Sequence, residues 1–279
     1  MLGRIAVHLG ADKDCERRID VAIQLAKEKK AEIVGVYPFD LVPQQGYVGT
    51  ALPSEITQLI RDRFQEDRSR TKELFTKKTE EAGVKAHWRT PKGPIDEVLA
   101  LHARYSRLLI MSKAEDALST SSPLAANLPE SIIMSAGRPV LMVPTVGNII
   151  TIGERILFCW DKKREAARAF ADAAPFLGTA KELVVLCIDE DTDYLRNQDI
   201  QENEFTDLCA AMGYPAPKVL LRSSKGVGVG NVILNTATDY GSDLIVMGAY
   251  GHSRMRQWIM GGASKTILSS MTVPALMSH

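Results

Sequence analysis

No stretch of this chain reaches the roughly 18 consecutive apolar residues that a membrane-crossing helix needs. Nor does the start read as a secretory leader: Arg4, Asp12, Lys13 and Asp14 interrupt it, and a cytoplasmic protein is expected. A charge excess of either sign is missing too. Thirty-four basic and thirty-four acidic side chains cancel, so the charge balance points to neither nucleic acid nor a membrane surface as partner. Cysteine is scarce, and Cys15, Cys159, Cys187 and Cys209 form no Cys-x-x-Cys pair. The five histidines show no metal-ligand spacing. Buried free thiols are therefore expected, and metal chemistry is unsupported. The phosphate-loop pattern Gly-x4-Gly-Lys-Ser/Thr is also absent. Gly226-Val-Gly-Val-Gly230 lacks the last spacing of a dinucleotide fingerprint and follows a third strand, where the fingerprint belongs after a first. It reads as a loop capping the next helix. What remains is a chain of 279 residues, 45% hydrophobic and 24% charged, the composition of a globular protein with a proper core.

The chain repeats itself. Arg4-Ile-Ala-Val-His-Leu9 aligns with Arg155-Ile-Leu-Phe-Cys-Trp160, and the same offset lays Ile33–Tyr37 on Val184–Ile188. Further on, Ser106–Met111 aligns with Ser242–Met247 at a smaller offset, so the first copy carries extra residues. These fall around 39–81, as a loop followed by a long charged helix. In each copy, short runs rich in Val, Ile and Leu alternate with longer amphipathic segments, the pattern of a parallel sheet covered on both faces. The second copy predicts strands near 155–160, 182–188, 217–222, 243–248 and 273–277, and helices near 163–177, 199–212, 229–240 and 263–271. The link between copies is Pro144–Gly153, giving domains over 1–146 and 152–279.

The densest signal follows the apolar run ending at Met247. Gly248-Ala-Tyr250-Gly251 comes first, then nine residues, then Gly261-Gly262-Ala263-Ser264 at the start of a helical segment. Glycines let backbone N–H groups approach an anion, and a helix N-terminus adds unpaired donors. With Asp161 ending the copy's first strand, this arrangement resembles the universal stress protein family, whose nucleotide-binding members carry Gly-x2-Gly-x9-Gly-Ser/Thr here. Gly248, Gly251 and Gly261 match. Gly262 departs, standing where the family has Ser or Thr, and Ser264 is a substitute hydroxyl. The resemblance covers the whole chain as two tandem domains and is specific in the second. It implies an α/β fold of two doubly wound five-stranded parallel sheets, Rossmann-like, of strand order 3-2-1-4-5. It also implies ATP or another adenine nucleotide as ligand, with or without magnesium, and a regulatory or sensing role in stress response.

In such sheets ligands bind beyond the carboxyl ends of the strands, where the order reverses. Asp161 is placed there to meet the adenosine part, or else to cap the following helix. Cys187 and Ile188 match a family position lining the base pocket. Met247 belongs either against the base or in the core. The loop formed by Gly248, Tyr250, Gly251, Gly261, Gly262, Ala263 and Ser264 would cradle phosphate. Arg254 and Arg256 could add charge-assisted donors, and the bland alternative is a solvated surface pair.

The first copy lacks this apparatus. Ser112-Lys-Ala-Glu115 stands for the first glycines, Ala126-Asn127 for Gly261-Gly262, and Gly10 for Asp161. A structural or regulatory domain without nucleotide is expected. No catalytic constellation stands out, so at most weak ATP hydrolysis is expected. A nucleotide-independent scaffold of the same fold is the alternative function. The fifth strands, Pro139–Val143 and Val273–Met277, would end each sheet with unpaired edges; the resemblance implies that they pair between domains as an internal pseudo-dimer, and homodimerisation is left open.

Overall fold

The computed structural model describes residues 2–39, 54–113, 128–189, 203–250 and 262–279. The chain divides into two units, Met1–Arg138 and Pro139–His279.

The first unit runs β1 (Arg4–His8), α1 (Cys15–Lys29), β2 (Glu32–Val36), α2 (Ser54–Glu81), β3 (Ala86–Arg89), α3 (Ile95–Arg104), β4 (Leu108–Ser112) and α4 (Leu128–Ser135). Its strands lie in the order β3-β2-β1-β4 and are parallel throughout. β4 reads Leu-Leu-Ile-Met-Ser and is buried along its whole length, because helices must cover both faces of a parallel sheet. α1 covers one face with the stripe Ile19, Ala22, Leu25 and Ala26, at helical spacing. The extra residues of this copy form α2, a helix of 28 residues. It is tied down by the buried Phe75 and by Lys78, which bridges Glu16 and Asp20 on α1 at 2.7 and 2.6 Å.

The second unit begins with β5 (Val140–Val143). It continues β6 (Arg155–Cys159), α5 (Arg164–Asp172), α6 (Ala174–Leu177), β7 (Glu182–Ile188), α7 (Glu204–Ala211), β8 (Pro217–Arg222), α8 (Val229–Asp239), β9 (Leu244–Gly248), α9 (Gly262–Ser270) and β10 (Ala275–Ser278). The order is β5-β10-β9-β6-β7-β8. Strands β6 to β10 are parallel and realise the expected 3-2-1-4-5 arrangement. β5 comes from the first repeat, yet it runs antiparallel along β10, with Leu141 opposite Leu276.

The expected elements of the second repeat appear with two differences. The helix expected over 163–177 breaks at Ala173, because Pro175 opens a fresh turn there and cannot donate to a continuing helix. The helix expected over 199–212 is described only as Glu204–Ala211, and its first residues lie outside the described ones. Gly226–Gly230 behaves as expected: Gly228, at a left-handed φ of 87°, caps α8. Gly230 also admits α9, since a Cβ there would lie 2.5 Å from Thr266.

The start of β6 is fixed by one carboxylate. Asp243 accepts hydrogen bonds from the backbone N–H groups of Gly153, Glu154 and Arg155 at 3.0, 3.1 and 2.9 Å, and from the Thr151 hydroxyl at 2.5 Å. It precedes β9, so the same residue sets the register of the two strands that flank the point where strand order reverses.

Candidate functional site

In the second unit β6 and β9 lie side by side with Cys159 opposite Met247, and the chain leaves both strands at one edge of the sheet. Beyond β6, Trp160 donates its backbone N–H to Leu186 at 2.9 Å, holding the exit against β7. Asp161 comes next, its side chain 54% exposed. It does not cap α5 in the ordinary sense, because the cap position is Lys163. Instead its Oδ1 accepts the Lys163 backbone N–H at 3.1 Å and its Oδ2 meets the Lys163 ammonium at 3.1 Å. This short Asx turn, with Lys162 at a left-handed φ of 62°, steers the chain from strand to helix and leaves the carboxylate facing solvent.

On the other side of the edge the chain leaves β9 through Gly248. A side chain there would place its Cβ 2.5 Å from the Glu165 carbonyl carbon and 2.6 Å from the Ala166 nitrogen. Gly248 is thus required by the close approach of α5, whose Ala166 and Ala169 are small enough to let its backbone down onto β9. Ala249 is buried and anchored twice: its N–H donates to Ser278 at 2.8 Å, and its carbonyl lies 3.0 Å from His279 Nδ1. Tyr250 follows at a φ of 61°, a left-handed conformation that is uncommon for a residue with a side chain. The loop thereby turns sharply away from the strand. Gly251 and Gly261, with His252, Arg254 and Arg256 between them, lie outside the described residues.

The chain re-enters as α9. At Gly262 an added Cβ meets nothing within 4 Å, so a hydroxyl-bearing residue would fit. Ala263 is half-buried. Ser264 is buried, and it shares one packing stripe with Ile267 and Leu268. Its side chain belongs to that stripe, which is at odds with a substitute for the missing hydroxyl at 262. Met247 and Cys187 are also buried, whereas Ile188 is half-buried at the end of β7. Core packing therefore accounts for Met247 and Cys187. All four cysteines are free, and Cys15, Cys187 and Cys209 are buried. Burial, helped by the nearby Asp161 charge, pushes the Cys159 thiol far up and out of nucleophile range.

Two carboxylates close to this edge were not singled out from the sequence. Glu165 is buried under Gly248, and its Oε1 accepts from Arg164 Nε at 2.5 Å. Burial works to raise its pKa, but that bond and the Arg164 charge outweigh it and hold the group low. Asp189, at a φ of 52° beyond β7, accepts from the Ser224 hydroxyl and backbone N–H at 2.5 and 2.9 Å, and these bonds hold it low as well. The Ser223-Ser224 pair after β8 was the available signal for Asp189. Glu165 had none, because nothing in the sequence tells a buried glutamate from a solvated one.

The matching edge of the first unit is built differently. Ser112 stands at the position of Gly248, and Arg18 at that of the buried Ala169. The Arg18 guanidinium, 1% exposed, fills the space between the two strand ends. It donates to the His8 carbonyl at 2.7 Å, to both Asp12 oxygens at 2.8 and 2.7 Å, and to the Ser112 hydroxyl at 2.5 Å. Burial first, and the Arg18 charge second, pull His8 down to about 3. Burial opposes ionisation of Asp12, but its bonds to Arg18 hold it below the usual carboxylate range. Gly10 would meet Asp12 Oδ2 at 2.8 Å if it bore a side chain. Among the described residues no group of three or more Cys, His, Asp or Glu is arranged to hold a metal, and no helix is long and apolar enough to cross a membrane.

The sequence profile described as the universal stress protein family matches residues 153–279. A universal stress protein of Synechocystis is 27% identical over 183 residues, covering 63% of this chain, and the chain spans only 58% of that relative's length. One from Methanocaldococcus jannaschii is 29% identical over 123 residues, covering 44% of this chain and 70% of the relative. Among solved structures, a universal stress protein from Archaeoglobus fulgidus superposes with a TM-score of 0.75 at 19% identity, covering 99% of this chain and 97% of the other. A further structure, from Pseudomonas aeruginosa, described as a putative universal stress protein, gives 0.61 at 14% identity, covering 99% and 93%. At such identities these two likenesses speak for the fold alone.

Proposed function

We propose that the second unit, whose residues 153–279 match the universal stress protein family profile, binds ATP or another adenine nucleotide and serves a regulatory role in stress response in the cytoplasm. One observation carries the reading: the chain leaves the adjacent strands β6 and β9 at one edge, through the exposed Asp161 and the glycine-rich turn that opens at Gly248. Ligands of open α/β sheets bind at such a reversal of strand order. In this reading Asp161 accepts from ribose or adenine, while the backbone at Cys187 and Ile188 borders the base, with Met247 beneath it. In the same reading Tyr250, Gly251, Gly261, Gly262 and Ala263 are the residues whose N–H groups would meet phosphate oxygens near the start of α9. Magnesium, where present, would be held by the phosphates.

The first unit is read as having given up this site. Arg18 commits its donors to Asp12, Ser112 and the His8 carbonyl, so the space that a ligand would need is filled by an internal ion pair. The antiparallel pairing of β5 with β10 supports an internal pseudo-dimer of the two repeats. In this reading the second unit binds nucleotide and hydrolyses it slowly at most.

The test is to denature freshly purified protein and identify the released nucleotide by liquid chromatography and mass spectrometry. About one adenine nucleotide per chain, lost in Gly251→Val, is the expected result. Two per chain would contradict the filled first site. None, with no ATP binding by calorimetry, would favour a nucleotide-independent scaffold. The observation that favours this second reading is the hydroxyl-free Gly262 together with the buried Ser264.

A further inference from the structure

The extra residues of the first repeat contribute to a cavity in the first unit. α2 crosses the carboxyl ends of β2 and β3, and between them lies a cavity of about 420 Å³, within the usual size range for a small-ligand site. Its apolar wall is Phe39 and Phe64, with ring centroids 4.3 Å apart. Phe64 is backed in turn by Tyr37 at 5.5 Å, and Tyr37 stacks on Trp88 at 5.6 Å. The backbone under this wall is fixed, because Phe39 N–H donates to Pro91 and Gly93 N–H to Phe39 at 2.8 and 3.1 Å. The rings are therefore held in place before any ligand arrives.

The polar side of the cavity carries one sign of charge. Arg61 and Arg68 project from the same face of α2 as Phe64, at helical spacing, and Lys92 faces them from the loop after β3. Among the described residues that line the cavity none is acidic. On the same helix Asp67 is committed to Arg63 and Arg70 at 3.5 and 2.8 Å. Thr90 accepts the Trp88 indole N–H at 2.7 Å, which leaves its own hydroxyl proton to donate. Three cations and a hydroxyl donor beside a tilted pair of aromatic rings suit a small organic anion that carries a ring.

We propose that this cavity of the first unit binds a small aromatic anion, a carboxylate or phosphate ester on a single ring, with the ring against Phe39 and Phe64 and the anionic group between Arg61, Arg68 and Lys92. The site is distinct from the edge of the second unit and would make the first unit the sensing half of the chain. Calorimetric titration of the full chain with phenyl phosphate and with salicylate tests it. Inorganic phosphate serves as the charge-only control and benzyl alcohol as the ring-only control. Expected is one saturable site per chain that weakens as salt is raised. It should weaken about tenfold in Arg68→Gln and in Lys92→Gln, the loss of one charge-assisted contact. Each control alone should bind at least tenfold more weakly, and Gly251→Val should leave the site unchanged. Absence of saturable binding, equal affinity in both charge variants, or loss of binding in Gly251→Val would each overturn the proposal. Lys92 lies on an exposed loop, so its variant stays informative should Arg68→Gln fail to fold.

Discussion

Gly248 shows how one residue can look functional for two different reasons. In sequence it is the first glycine of a phosphate-binding pattern. In the structure its missing side chain is the space that the Glu165–Ala166 backbone occupies. Gly248→Ala should therefore lower stability by about 1–3 kcal/mol, the usual cost of overpacking, whether or not nucleotide is present. Urea unfolding of the ligand-free protein reads this directly, and an unchanged midpoint would mean that α5 can slide away cheaply. Gly262 is the opposite case, with open space where its side chain would be. Gly262→Ser should leave stability unchanged and tighten nucleotide binding about tenfold, the worth of one added hydrogen bond to a charged oxygen. Equal affinity in the variant would show that no phosphate lies near the start of α9.

Among the elements, strands were the most legible part of the chain. β6 and β7 lie where their apolar runs put them, because strands covered on both faces leave an uninterrupted hydrophobic signature; β8 also lies where expected, although it is an edge strand with Val219 and Leu221 exposed. Helix ends were less legible. α5 stops at Asp172 because of Pro175, about three turns into an otherwise continuous amphipathic pattern. The apolar run ending at Met247 located β9, but the glycine spacing could not reveal that Ser264 belongs to the packing stripe of α9. Direction around a helix axis at its first turn depends on the cap, and a single sequence leaves that open. The brace at the start of β6 was invisible for a similar reason, since Asp243 bonds backbone groups some ninety residues away in sequence. Asp243→Asn keeps the shape but one oxygen becomes a donor, so the charge-assisted bonds to Gly153, Glu154 and Arg155 cannot all survive. A loss of about 2 kcal/mol is expected for the second unit. Hydrogen exchange should show faster opening of the β6 amides first, and protection equal to the parent protein would remove Asp243 from that role.

On the scale of the whole molecule, two copies of one plan answer acid differently. His8 is held at about 3 in the folded first unit, against 6.5 when unperturbed. Below 6.5 the unfolded chain takes up a proton that the folded unit refuses, so stability is full above that value and falls as the pH drops towards 3. Asp12, held low by Arg18, adds a further loss once the pH passes below its unperturbed value of 3.8. The matched residue in the second unit is Cys159, which stays neutral throughout this range. The first unit should therefore unfold first on mild acidification. Its urea midpoint should decline between pH 6.5 and 4, and His8→Gln should flatten that decline. A flat profile in the parent protein would mean that the imidazole is not kept neutral.

The loan of β5 to the sheet of the second unit bears on how this gene can be cut. A fragment beginning at the apparent repeat boundary, after Pro144, would carry β10 with a bare row of amide and carbonyl groups along one side. Such a fragment would find the missing strand in its neighbours, and pairing of two β10 edges is the shortest route. Separating the halves at Arg138 instead keeps the strand with its partner. The point of scission would then decide which strand, β10 or β5, carries the open edge.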